Sequence, residues 1–189
     1  MSKFSHFFYD YFYSLGSSST LSKNLNMVLL LVIVLAITIV IDFGVKLIIR
    51  KISSKIADKS KTKFDDMLIN NKLPRNVAHI PAIAIFHYCL PYVFMDFPST
   101  NGIVLKIVKV LGIVLTLYIA RSFLNSIKDY LKTKDKYKDK PIDSFIQVFM
   151  IFAWVTGFLL AFTVLTGIEI WKFFTALGTV SAVIILVFR

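Results

Sequence analysis

The chain has 189 residues, 57% of them hydrophobic, and its mean hydropathy is +0.72. A soluble domain has about 45–50% apolar residues, so the composition excludes an ordinary soluble protein and indicates an integral membrane protein. The formal charge of +11 arises largely from Lys and Arg clustered beside the apolar stretches. Such residues set topology and meet anionic lipid, so we expect membrane lipids, and no nucleic acid, as partners.

The first 26 residues are predicted to form an aromatic interfacial segment and a linker. Seven aromatic side chains lie within residues 3–15: Phe4, Phe7, Phe8, Tyr9, Tyr11, Phe12 and Tyr13. Tyrosine favours the headgroup level of a bilayer, which predicts a short helix lying on the membrane. Gly16-Ser-Ser-Ser-Thr20 reads as a flexible link.

A first membrane span is predicted over residues 27–49. It carries Asp42 and Lys46, which are four residues apart with the acid first, the favourable order for a helical ion pair. A charge inside a span is a functional-site hypothesis by default. The simpler interpretation is that Lys46 reaches towards the following basic loop, residues 50–75, and that Asp42 pairs with it. The middle of that loop is expected to be an amphipathic helical extension.

A second span is predicted over residues 76–97, with kinks at Pro81 and Pro91. His79 and His87 are eight residues apart in this span. That spacing is too long for both to bind one metal ion from a regular helix, so a structural role is favoured and no metal site is predicted. The single cysteine, Cys89, lies in the same span and cannot form an intrachain disulfide.

The third span is predicted over residues 103–124, after a short turn at residues 96–102. Lys106 and Lys109 lie near its start, where they could reach outward or face anionic headgroups. Residues 125–141 form a second basic loop.

Two further spans are predicted, over residues 142–165 and 170–188, and a tight turn connects them. The loops after the first and third spans carry eight and six Lys/Arg, whereas the opposite side carries few. Positively charged loops stay in the cytoplasm. The sequence therefore predicts an all-α membrane protein with five transmembrane helices, the N-terminus outside and the C-terminus cytoplasmic.

The last predicted helix has its residues sorted by size. Spacings of three and four place five residues on one, mostly small, face: Thr175, Gly178, Ala182, Leu186 and Arg189. The opposite face is bulky: Leu177, Val180, Ile184 and Phe188. A membrane helix of this kind can press closely against copies of itself. No Gly, Asn or Pro marks a helix end at Arg189, so we expect the helix to lead into a further segment.

Motifs for enzymatic chemistry are missing from the sequence. It has no Gly-rich phosphate loop, no Cys/His cluster with zinc spacing and no HExxH. We therefore expect no enzymatic activity and no cofactor.

The stretch from residues 141–147 through residues 175–189 resembles the small-conductance mechanosensitive channel family, most closely its five-span, miniconductance-like bacterial branch. The pair Leu177-Gly178, the small residues after it and a final Leu-Val-Phe with a basic residue are similar to the first half of that family's pore helix. A weaker similarity covers Phe64-Asp-Asp-Met-Leu, Leu73-Pro-Arg and Ala78-His-Ile-Pro, which resemble the loop and second span of the same branch.

The resemblance implies a homo-heptamer in a bacterial inner membrane, opened by tension to release ions and small solutes on hypo-osmotic shock. Residues 27–169 would be a four-helix sensor or scaffold, and residues 170–189 the first half of a pore-lining helix. The family's gate positions fall on Ala182 and Leu186, where an apolar constriction excludes water. Ala182 is smaller than the usual leucine. The family's cytoplasmic β-rich domain is absent, so we expect a fragment or a truncated product.

Three other functions remain open. The chain could be a non-conducting membrane anchor or helical scaffold, with the small face packed within one subunit. It could be a truncated, inactive channel fragment. It could also be a small transporter that uses Asp42 and Lys46.

Overall fold

The computed structural model describes residues 6–59, 63–137 and 140–188, so the predicted site residue Arg189 and the aromatic Phe4 lie outside the described residues. Within these ranges every regular element is helical, which confirms the all-α prediction. The elements are α1 Phe7–Ser14, α2 Ser19–Lys59, α3 Lys63–Asn70, α4 Leu73–Val77, α5 His79–Val93, α6 Pro98–Lys132, a single 3-10 turn Asp135–Tyr137, α7 Ile142–Thr166 and α8 Ile170–Val187.

Four of the described helices are long and apolar enough to cross a membrane: α2, α6, α7 and α8. The second predicted span, residues 76–97, is represented by α5, which has 15 residues. At 1.5 Å per residue α5 is about 22 Å long, less than the roughly 30 Å of a hydrocarbon core. The described helices thus fit a helical, multi-pass membrane protein with four candidate spans.

The gap between α4 and α5 has a local cause. Ala78 keeps helical backbone angles, with φ −60° and ψ −21°. Pro81 has no N–H to donate to the carbonyl of Val77, and a proline ring crowds the carbonyl four residues earlier. The chain from Leu73 to Val93 is therefore nearly one continuous helix with an interruption near its start.

Two helices extend through segments that the sequence predicted as loops. The link predicted over residues 16–20 is wrong at its end, because α2 begins at Ser19. The turn predicted over residues 96–102 is also wrong, because α6 begins at Pro98. The second basic loop is shorter than predicted, since α6 continues to Lys132. Proline is well suited to the first turn of a helix. Residues 125–132 contain neither Gly nor Pro, so nothing in them ends α6.

The main buried cluster lies at one end of the bundle, where α2, α5 and α6 meet. Its buried members are Leu90, Val93, Phe94 and Val108. Partly buried side chains of α2 pack against them: Met27, Leu30, Leu31 and Val34. These contacts set α5 antiparallel to α2 and to α6.

Helix α7 packs antiparallel to α6. The two helices are in close contact at Gly157, since a Cβ added there would lie 2.6 Å from Cδ1 of Leu117. Tyr118 and Trp154 meet edge to face beside it, with ring centroids 6.3 Å apart.

The bundle turns many large apolar side chains outward. Val40 is 70% exposed, Phe152 68% and Phe158 70%. A soluble protein rarely exposes apolar patches of this extent, whereas lipid-facing helices do. The arrangement fits a membrane protein.

Candidate functional site

Helix α8 is nearly free of tertiary packing. Every side chain from Trp171 to Phe188 is exposed, and the main contact of α8 is with α7. Four of the predicted pore-lining residues lie in this range: Thr175, Gly178, Ala182 and Leu186. The bulky face is exposed as well, so neither face of α8 has a packing partner within the described chain.

The hydroxyl groups of α8 are paired with its own backbone. Thr175 Oγ1 donates to the Trp171 carbonyl at 2.8 Å, and Thr179 Oγ1 to the Thr175 carbonyl at 2.9 Å. Ser181 Oγ donates likewise to the carbonyl four residues before it, at 2.8 Å. Such pairing lets polar side chains enter a membrane without losing a hydrogen bond. The small face can therefore pack against another helix without leaving these hydroxyls unpaired.

The predicted gate residues do not form a constriction within one chain. Ala182 and Leu186 lie one turn apart on the small face of α8, and Leu186 is 79% exposed. Around Gly178 no heavy atom lies within 4 Å of an added Cβ. A constriction at these positions requires further copies of the helix.

A charged cluster joins α2 to α5. Lys46 Nζ lies 2.5 Å from Asp42 Oδ2, one turn away on the same helix. His79 Nδ1, from the first residue of α5, lies 2.8 Å from Asp42 Oδ1. The spacing of Asp42 and Lys46 predicts their contact, but the contribution of His79 depends on how α5 packs and has no sequence signal. The described residues contain no group of three His, Cys, Asp or Glu that could hold a metal ion, and His87 does not join the cluster.

Side-chain hydrogen bonds attach the segment that follows α2, which contains α3 and α4, to helix α6. Three contacts form this attachment: Asn71 Nδ2 to Asp129 Oδ2 at 2.8 Å, Asn76 Nδ2 to Ser122 Oγ at 2.7 Å, and Ser126 Oγ to the Met67 carbonyl at 3.1 Å. Phe64 and Tyr130 add an edge-to-face contact at 5.3 Å. Helices α3 and α4 are therefore held against the bundle by specific polar contacts.

Ion pairs connect the end of α6 with the start of α7. Asp143 lies 2.5 Å from Lys132 Nζ and 3.5 Å from Lys128 Nζ. Asp143 is in the first turn of α7, where a negative charge also suits the helix dipole. These ion pairs hold together the two helix ends that the second basic loop connects.

The other end of α7 leads into α8 through a short elbow, residues 165–169. Gly167 has φ +76° and its N–H donates to the Thr163 carbonyl at 2.8 Å. Lys106 Nζ, from α6, donates to the Leu165 carbonyl at 2.9 Å. No specific role for Lys106 can be predicted from the sequence, and the structure places it at this junction. Lys109, one turn further along α6, is exposed.

No family model, no curated protein and no solved structure matches this chain. The resemblance to mechanosensitive channels therefore stays a prediction from the residues of the sequence. Helix α8, whose two faces are exposed, is the structural feature that bears most directly on function.

Proposed function

We propose that the chain is a subunit of an ion channel gated by membrane tension, which releases ions and small solutes on hypo-osmotic shock. The observation that supports this proposal is α8, an apolar helix of 18 residues with both faces exposed in the single chain. Lipid tails are as apolar as leucine, so helices in a membrane associate through close packing of small residues. The small residues of α8 allow such close packing at the margins of its small face, and further copies of the chain are the partners that fit there.

The proposal includes five crossings in a bacterial inner membrane. The nearly continuous helix from Leu73 to Val93 has roughly 20 residues, enough to span a bilayer. The basic segments that follow α2 and α6 lie at one end of the bundle, and the positive-inside rule places that end in the cytoplasm. The N-terminus is then outside, and α8 runs from the outer side towards the cytoplasm.

In the proposed ring, the small face of α8 lines the pore. Thr175 and Gly178 lie towards the outer side, and Ala182 and Leu186 form the gate. Leu186 contributes more to the constriction, because its side chain is larger than that of Ala182. A ring of leucine side chains repels water, and ions cannot pass without water. The resemblance to the channel family implies seven copies in the ring.

Patch-clamp recording from liposomes that contain the full chain tests the proposal. Leu186→Ser is expected to hydrate the closed pore and give a leak at rest. Leu186→Ala is expected to raise the open probability about tenfold at fixed tension, which needs only about 1.4 kcal/mol summed over the ring. Leu177→Ala is the matched control, because Leu177 lies on the opposite face of α8. It should leave the leak at rest unchanged.

The oligomeric state separates the proposal from its alternatives. Native mass spectrometry of the detergent-solubilised chain is expected to show a ring of several copies. A monomer or dimer without stretch-activated current would favour a non-conducting anchor or scaffold. A ring without current in any variant would indicate an inactive channel fragment.

A further inference from the structure

The direction of α8 depends on the elbow. Helix α8 has its main contact with α7, and the side chains from Trp171 to Phe188 are exposed, so packing does little to fix its angle. Two backbone conformations make the bend. Gly167 is left-handed, with φ +76°, and Glu169 is extended, with ψ 137°.

The end of α7 presents carbonyl groups that need donors. The last four carbonyls of any helix lack partners within the helix. At this end Thr163 is paired with the Gly167 N–H, and Leu165 accepts from Lys106. An ammonium group suits this position, since the C-terminal end of a helix carries partial negative charge. The elbow is therefore tied to α6 by a hydrogen bond to a charged donor.

We propose that Lys106 is a positioning residue that clamps the elbow and so couples movement of α6 to α8. The consequence for gating rests on the proposed channel function, whereas the clamp does not. If α6 tilts under tension, the hydrogen bond from Lys106 would pull the Leu165 carbonyl along with α6. This displacement of the elbow would change the direction of the start of α8. Lys109 cannot do this, because its side chain has no hydrogen-bond or ion-pair partner in the described part of the chain.

Hydrogen exchange of the elbow amides tests the clamp in the full chain in lipid nanodiscs. The readout is exchange at Gly167 and Ile168, whose N–H groups donate to Thr163 and to Thr166 Oγ1. Lys106→Met is expected to speed this exchange about fivefold, since hydrogen bonds to charged groups are among the stronger ones. Lys106→Arg keeps a charged donor and should restore slow exchange.

Lys109→Met is the matched control, because it removes the same charge one turn away. Equal acceleration in the Lys106→Met and Lys109→Met variants would overturn the clamp, as would an unchanged rate in Lys106→Met. If Lys106→Met fails to insert, Lys106→Gln, which keeps a shorter neutral donor, takes its place. Its exchange should lie above that of the unmodified chain, and an equal rate would overturn the clamp.

Stretch-activated current, recorded from the same variants, separates the two proposals. Faster elbow exchange together with a shifted opening tension in Lys106→Met supports both. Faster exchange without current in any variant leaves the clamp standing and overturns the channel. Stretch-activated current together with unchanged elbow exchange in Lys106→Met supports the channel and overturns the clamp.

Discussion

Asp42 contacts two basic side chains that reach it from different helices. Lys46 belongs to the same helix, and His79 begins the antiparallel α5. Between membrane helices, apolar packing competes with equally apolar lipid, so an interhelical polar contact has specific value. At this scale a single carboxylate can set the register between α2 and α5.

Replacing Asp42 by Asn is expected to lower the free energy of unfolding by about 1 kcal/mol, because interhelical polar contacts in membrane proteins average about 0.6 and reach about 1.7 kcal/mol. The measurement is unfolding in mixed micelles with added denaturing detergent. A double-mutant cycle with His79→Gln should show coupling between the two helices. Additive effects would contradict the contact. Loss of solute uptake at unchanged stability would instead favour a transporter.

At the scale of helices, the tightest glycine contact among the described residues lies between α6 and α7. Gly157 lets the two backbones come together over Leu117. Small residues serve this purpose widely between membrane helices. The position differs from Gly112 on α6, where no heavy atom lies within 4 Å of an added Cβ.

Gly157→Ala is expected to destabilise the chain by about 1 kcal/mol. Overpacking costs about 1–3 kcal/mol, and the gain of up to about 1 kcal/mol from alanine in a helix offsets only part of it. The same unfolding assay measures the change, and adding Leu117→Ala should relieve the clash. Gly112→Ala is the control and should be neutral or stabilising. Equal effects at the two glycines would contradict the packing.

The elements that sequence could predict are those with local signals. Helix α7 ends where Gly167 adopts a left-handed conformation, and the boundaries of α7 and α8 follow the prediction closely. The full extent of α6 cannot be predicted in this way, because its basic end lacks helix breakers and Pro98 can begin a helix as well as make a turn. In the candidate site, an i,i+4 pair is readable from sequence. The contact of Lys106 with α7 is not, because it depends on how the helices pack.

At the scale of the whole molecule, positive charge is concentrated at one end of the helix bundle. The segments that follow α2 and α6 carry most of the positive charge, while the opposite end, with the Phe97–Pro98 turn and the elbow, carries little. This asymmetry supports the proposed orientation. The two ends lie on opposite sides of the membrane only if α5 crosses it. A chain with only four crossings would place the turn before α6 on the same side as Lys72.

Cysteine labelling distinguishes five crossings from four. In a Cys89→Ala background, Ser99→Cys and Lys72→Cys introduce exposed thiols at the two ends of the α4–α5 segment. A membrane-impermeant maleimide is expected to label Ser99→Cys in intact cells and Lys72→Cys only after permeabilisation. Labelling of both from the same side would contradict the five-span topology.

The length of α2 makes it a lever. Its 41 residues extend about 61 Å, roughly twice the thickness of a hydrocarbon core, so the helix protrudes from the core at any tilt below about 60°. The end at Lys59 lies about 30 Å from the bilayer midplane if residues 27–49 are centred there, and a 10° change of tilt would move it sideways by about 5 Å. A small angular response within the lipid thus becomes a larger displacement at the basic end of α2.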